Sequence, residues 1–171
     1  MKNILAFILL AGIVTLISCG SVTESGLSPD EIISNIAAQY SDTFASGEKI
    51  YSEAEDEFDR LDEIVAYRYL GNGSEYIELD KFESYCIISA SPAAATEIGI
   101  IKVNDKADID TVKDWVRSHF NYVAGIFSSY DEKETNSAKN GEVRVNGKYI
   151  YYAIFEESNN VMNKIEDILN K

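Results

Sequence analysis

Glu142-Val143-Arg144-Val145-Asn146-Gly147-Lys148-Tyr149-Ile150-Tyr151-Tyr152-Ala153-Ile154-Phe155 is the stretch that decides the fold. Asn-Gly between two runs of alternating side chains is the strongest short-range hairpin signal. A two-residue turn at Asn146-Gly147 sets Val145 opposite Lys148, Arg144 opposite Tyr149, Val143 opposite Ile150 and Glu142 opposite Tyr151. Side chains alternate along a strand. One face therefore carries Val143, Val145, Ile150, Tyr152 and Ile154, and the other Arg144, Tyr149, Tyr151 and Phe155. The second strand is apolar on both faces, which predicts a central strand covered on two sides.

Upstream, Glu83–Ala90 and Glu97–Val103 read as two more strands. Ser91-Pro92-Ala93-Ala94-Ala95-Thr96 joins them, and Pro92 marks the break in pairing. Between these strands and the hairpin, residues 108–130 have helical spacing. Ile109, Val112, Trp115, Val116, Phe120, Tyr122, Val123, Ile126, Phe127 and Tyr130 fall on one side, with Asp108 as the cap. Trp115 and His119 lie on or beside that stripe and read as core or boundary packing, since no partner for His119 is placed by sequence. Residues 131–141 are polar and read as a loop. After the hairpin, Ser158 or Asn159 starts a last helix that buries Val161, Ile165, Ile168 and Leu169.

Toward the amino terminus, Ser28-Pro29-Asp30-Glu31 is a helix start with a capping box and a proline at the first helical position. Ile32, Ile33, Ile36, Ala37, Tyr40 and Phe44 follow on one face, so this helix runs to about residue 45, and Gly47 ends it. Residues 52–70 hold Glu53, Glu55, Asp56, Glu57, Asp59, Asp62 and Glu63, with Ala54, Phe58, Leu61, Ile64 and Val65 at helical spacing. They predict a second helix with a solvated acidic face, stopped by Gly71-Asn72-Gly73. The acids lack the alternate oxygen ligands around a glycine that a calcium loop needs. The expected fold is α+β: an antiparallel sheet of about four strands packed by helices, in the order ααββαββα.

The chain opens with Lys2 and an uncharged apolar run, Ile4–Ile17. Fourteen helical residues reach roughly 21 Å, short of the ~30 Å hydrocarbon core. The run reads as a signal peptide rather than a permanent span. Leu16-Ile17-Ser18-Cys19 resembles the lipobox of bacterial lipoproteins. That resemblance implies cleavage between Ser18 and Cys19, and lipidation of Cys19 by acyl chains of the palmitate class. Two or more such chains anchor stably. The expected organisation is a signal peptide over 1–18, a lipidated Cys19 and tether over 19–27, and a single α+β domain over 28–171. Its address is extracytoplasmic, on the outer face of the membrane.

The 171 residues carry a net charge of −14, which becomes −15 once Lys2 leaves with the signal peptide. So acidic a domain is repelled by nucleic acid and by anionic lipid. With Cys19 taken by lipid, Cys86 is left without a disulfide partner. It sits in an apolar run with nothing basic close by in sequence, which marks a buried structural thiol. One His and one spare Cys supply no zinc site. No nucleophile elbow, P-loop or dinucleotide glycine pattern occurs. No catalytic residue, metal ligand or cofactor is expected.

Glu97-Ile98-Gly99-Ile100-Ile101-Lys102-Val103 leading into the long helix, and Val145-Asn146-Gly147-Lys148-Tyr149-Ile150-Tyr151-Tyr152 closing the domain, resemble a family of Firmicutes lipoproteins catalogued as domain of unknown function 4358. The likeness spans roughly residues 30–170. It implies a Gram-positive cell-envelope protein and brings no activity, cofactor or site residue. The leading expectation is a non-enzymatic, membrane-anchored module that binds an envelope protein or small ligand. Its expected contact surface is Arg144, Tyr149 and Tyr151, since aromatic and Arg anchors are typical of interfaces. A small envelope hydrolase would instead need a pocket that gathers His119 or a close carboxylate pair. A solute-binding accessory component of a transporter is the third reading.

Overall fold

The hairpin forms, with its turn one residue further on than the Asn-Gly pair suggests. In the computed structural model, which describes residues 26–171, strand β4 (Glu142–Asn146) and strand β5 (Tyr149–Ile154) pair with Asn146 opposite Tyr149, Val145 opposite Ile150 and Arg144 opposite Tyr151. Gly147 has φ +61°, and Lys148 does not share the positive φ. A type I′ turn on Asn146-Gly147 would need positive φ at both. Glycine alone at the first central position is the type II′ arrangement, so Asn146 joins the strand. The shift moves every cross-strand partner by two places and leaves the two faces as expected from the alternation.

Three further strands complete the sheet: β1 (Glu48–Tyr51), β2 (Phe82–Ser89) and β3 (Glu97–Val103). The order across the sheet is β1-β2-β3-β5-β4, with all neighbours antiparallel. The fold is α+β, and the sheet has five strands where about four were expected. β5 is central and buried along its whole length. One sheet face, with Cys86, Ile98, Ile100, Tyr149, Tyr151 and Ala153, is covered by helix α1 (Pro29–Ala37) and the carboxy-terminal helix over Ser158–Leu169. The other face, with Ile87, Ile101, Ile150, Tyr152 and Ile154, lies under the long helix over Ile109–Phe127. Two apolar cores thus sandwich one sheet.

The start of α1 is as the sequence predicts. Ser28 Oγ accepts from the Glu31 N–H, and Glu31 Oε2 accepts from the Ser28 N–H at 2.8 Å. After a turn of 3-10 helix, a second short helix, α2 (Ser41–Phe44), carries the run to Gly47. A Cβ on Gly47 would stand 2.0 Å from the Ser89 carbonyl oxygen, so the entry to β1 needs glycine for the close approach of β2.

The second long helix expected over 52–70 does not form. Residues 48–51 are the additional strand β1, and only a 3-10 turn at Glu57–Asp59 and one turn of α-helix, α3 (Ala66–Tyr69), appear before Gly71. The acids instead hold local turns: Asp56 Oδ1 accepts from the Phe58 N–H, and Asp62 Oδ1 accepts from the N–H groups of Ile64 and Val65. Short acidic side chains compete with helix for the backbone in this way. Of the apolar residues there, Ala54 and Leu61 are buried, while Phe58 and Ile64 are exposed. Gly71 does end α3 in the left-handed region, at φ +72°, as a helix stop.

The long helix is α4 (Ile109–Phe127). Its buried stripe runs from Val112 to Phe127, whereas Ile126 and Tyr130 are exposed rather than on the apolar side. Asp108 makes no capping bond. It pairs with Lys81 at 2.8 Å. The expected loop over 131–141 contains α5 (Glu132–Lys139), started by Asp131, whose Oδ1 accepts from the Glu134 N–H. The last helix is α6 (Ser158–Leu169), bound to α1 across the same sheet face. The proposed signal peptide (1–18), Ser18, Cys19 and the tether as far as residue 25 lie outside the described residues. Among the described residues no helix is long and apolar enough to cross a membrane.

Candidate functional site

Three polar side chains meet inside the core under α4. Glu97 opens β3, His119 sits on the sheet-facing side of α4, and Tyr152 lies on β5. They are 6%, 1% and 0% exposed. Tyr152 stands directly opposite Gly99, and a Cβ at Gly99 would come within 2.3 Å of the Tyr152 ring. Glycine on β3 therefore lets the ring lie across the strand. The Tyr152 hydroxyl then donates to Glu97 Oε1 at 2.6 Å. His119 Nε2 lies 3.1 Å from the same oxygen. A carboxylate oxygen only accepts, so Nε2 carries the hydrogen of this contact. Nδ1 is buried and has no hydrogen-bond partner. Burial first, and then the negative Glu97, pushes the Tyr152 phenol well above its ordinary pKa.

Glu97 and His119 of this cluster line a cleft of about 150 Å³, with Tyr152 buried behind them. β1 and α3 supply one wall. There Tyr69 donates to Glu48 Oε2 at 2.9 Å, and Arg68 reaches the same oxygen at 3.4 Å. Tyr69 is buried while Glu48 and Arg68 stay partly exposed, so the pair forms a rim. Burial, the bond to Glu48 and the charge of Glu48 all push the Tyr69 phenol up, with Glu97 adding to the effect. The β2–β3 loop supplies a second wall through Ser91, Pro92, Ala94 and Ala95. It is pinned from α5, since Glu134 Oε2 accepts the Ala95 N–H at 2.7 Å. α4 supplies the third wall through Tyr122, Val123, Ile126 and Phe127. The Tyr122 ring rests on Gly73, where a Cβ would stand 2.5 Å from it.

The expected contact surface on the hairpin is corrected. Tyr149 and Tyr151 are 3% and 1% exposed, buried beneath α1 and α6. The same face that carries them must pack against those helices, which removes both rings from solvent. Arg144, on edge strand β4, is turned to α6 and bonds Asn159, Asn163 and Glu142. These three residues thus hold β4, β5 and α6 together rather than present a surface. His119 is a core residue as expected, but it has an acid partner that the sequence did not place. Cys86 is buried, with Lys49 nearby and Asp30 Oδ1 at 3.9 Å, and burial drives its thiol pKa upward. Lys49 itself pairs with Asp30.

Sequence reasoning passed over Glu97, Gly99, Tyr152, Tyr69 and Glu48. A signal existed for the first two. An acid at the head of an apolar strand needs a donor, and glycine inside a strand marks a close approach. No set of three or more His, Cys, Asp or Glu suited to a metal occurs among the described residues.

Residues 76–155 match the model of a family described as Domain of unknown function (DUF4358). The matched segment contains Glu97, Gly99, His119, Tyr122 and Tyr152, and the rim residues Glu48, Arg68 and Tyr69 lie before it. No curated protein matches, and no solved structure matches.

Proposed function

The chain belongs to the DUF4358 family through residues 76–155, and since that description assigns no activity, we propose a function from the residues themselves: a lipid-anchored extracytoplasmic module that holds a ligand in the Glu97–His119 cleft without transforming it. The carrying observation is the partnerless Nδ1 of a buried histidine that lines a cleft. A buried polar atom without a partner is expensive, at about 1–3 kcal/mol. A ligand that forms a hydrogen bond with it would remove that penalty.

The hydrolase reading draws support from the pocket around His119, and is weakened by what surrounds the ring. Nδ1 has no hydroxyl against it, and Cys86 lies on the opposite face of the sheet, in the core under α1 and α6. A base without a nucleophile in reach does not start acyl transfer.

The lipid anchor rests on the Leu16-Ile17-Ser18-Cys19 run, and the Gram-positive envelope address on the family resemblance. Mass spectrometry of the native protein should find an acylated Cys19 as first residue, and Cys19→Ala should release the protein from membranes. An unmodified Cys19 would remove the anchor from the proposal. For the cleft, NMR spectra of the full mature protein recorded against a mixed small-molecule library should move the amides of His119, Tyr122 and Ala95 together. A library whose hits all map elsewhere would remove the cleft.

A further inference from the structure

We propose that the outer edge of β1 takes an extended, basic segment of a partner protein as an added strand, seated in the groove between β1 and Phe58. This surface is separate from the floor of the Glu97–His119 cleft, and its failure would leave the cleft reading untouched.

β1 lies at one end of the sheet and pairs only with β2. One contact sets the phase of that pairing: the Ser52 N–H donates to the Tyr85 carbonyl at 3.1 Å. Bonded and non-bonded pairs alternate along antiparallel strands. Ile50 and Glu48 therefore bond β2 as Ser52 does, while Lys49 and Tyr51 turn their backbone groups outward. The Tyr51 carbonyl is taken by the Ala54 N–H at 3.3 Å. The N–H and C=O of Lys49 and the N–H of Tyr51 have no backbone partner among the described residues. A groove of about 560 Å³ runs along this edge, with Phe58, Asp59 and Val65 on its far side. Phe58 is 79% exposed there. A chain bonded to the edge would point alternate side chains at Phe58 and Val65, as in strand addition.

Charge selects the occupant. Residues 53–63, which include one wall of the groove, hold seven Asp or Glu and one cation, Arg60. Arg60 is turned to the Ala54 carbonyl, Lys49 to Asp30, and Arg68 to Glu48. The cations at hand are thus engaged, and the excess acids face whatever enters. A second copy of this chain joined through β1 would bring two such stretches together, and like charges repel. The stretch just before the described residues, 20–25, carries Glu24 and no Lys or Arg, so it offers no complement. A segment with Lys or Arg alternating with apolar residues matches the edge, the apolar wall and the charge at once.

The test titrates two short capped peptides, one alternating lysine with valine and one alternating glutamate with valine, into the full mature protein. Hydrogen exchange followed by NMR should show the Lys49 and Tyr51 amides slowed at least about tenfold by the lysine peptide, with the Ile50 amide, already bonded to β2, little changed. The glutamate peptide should bind at least about tenfold more weakly, and the difference should shrink in high salt. Phe58→Ser and Asp59→Lys alter exposed side chains, so the fold should persist. Each should weaken the lysine peptide, by about fivefold or more and about two- to fivefold respectively. Binding without slowed exchange at Lys49 and Tyr51 would overturn strand addition. Equal binding of the two peptides would overturn the basic partner, as would no binding of either. Protection of the same amides by concentration-dependent dimerisation would give the edge to a second copy and overturn the proposal.

Discussion

Replacing Gly99 with alanine probes the arrangement from strand to site in one methyl group. The new Cβ would stand 2.3 Å from Tyr152 Cε1, 2.4 Å from Cζ and 2.7 Å from the hydroxyl oxygen. Those atoms are the rigid end of a fully buried ring, so relief requires the whole side chain to shift. Overpacking of this kind costs about 1–3 kcal/mol. Moving the ring also breaks the 2.6 Å bond to Glu97 Oε1, and a hydrogen bond to a charged group is worth about 1.5–3 kcal/mol. The combined loss is roughly 2.5–6 kcal/mol, a large part of the ~5–15 kcal/mol that holds a domain together. Urea denaturation followed by circular dichroism would read it directly. Tyr152→Phe separates the two contributions, because it removes the bond without the clash and should lose only about 1.5–3 kcal/mol. In the double variant the bond is already gone, so the two losses should fall short of adding. A Gly99→Ala protein within about 0.5 kcal/mol of the parent would show that the ring is not wedged over this glycine, and the account of how Tyr152 reaches Glu97 would be wrong.

Tyr149→Ala or Tyr151→Ala should each destabilise the fold by about 3–5 kcal/mol, as for other buried aromatic truncations. A pull-down in which either variant stays stable and loses a partner would restore the hairpin as a contact surface. Cys86 should resist iodoacetamide at pH 8 in the native protein and react only in denaturant, since burial pushes its thiol up. Fast native labelling would contradict the packing beneath α1. Alkaline stability should fall. The phenols of Tyr69, Tyr151 and Tyr152 are raised in the fold, Tyr151 to about 12 against an ordinary value near 10. The folded state then holds protons that the unfolded chain has released. Stability is complete below about pH 10 and declines through about pH 12, by at most about 1.4 kcal/mol per pH unit for each phenol. Urea midpoints between pH 8 and pH 11 would measure the slope, and Tyr151→Phe should flatten it.

The parts of the fold that could be read from the sequence are those where one period dominates. Alternation at 142–155 assigned both faces of β5 correctly, even with the turn displaced by one residue, because a two-place change of partner preserves the faces. The stripe from Val112 to Phe127 gave α4 in the same way. The acidic stretch was misread because Phe58, Leu61 and Ile64 imitate helical spacing while Asp56 and Asp62 bind the nearby backbone instead. α5 was missed because its apolar signal is weak, although Asp131 three residues before Glu134 is a helix-start pair. The cleft was illegible for a different reason. Glu97 and Tyr152 are 55 residues apart, and Glu97 and His119 are 22 apart. Only the pairing of β3 with β5 and the packing of α4 over that face, which no local pattern encodes, bring the three into one place.

The bond between His119 and Glu97 also bears on how α4 settles on the sheet. An apolar stripe by itself tolerates sliding, since one aliphatic contact can replace another a turn away. A displacement by one turn, about 5.4 Å, would part Nε2 from Oε1, strand that ring nitrogen in hydrocarbon surroundings and leave Glu97 with the Tyr152 hydroxyl alone. A slipped packing loses that bond, while the correct one keeps it. The pair thus works as an alignment pin, fixing where along β3 the long helix comes to rest.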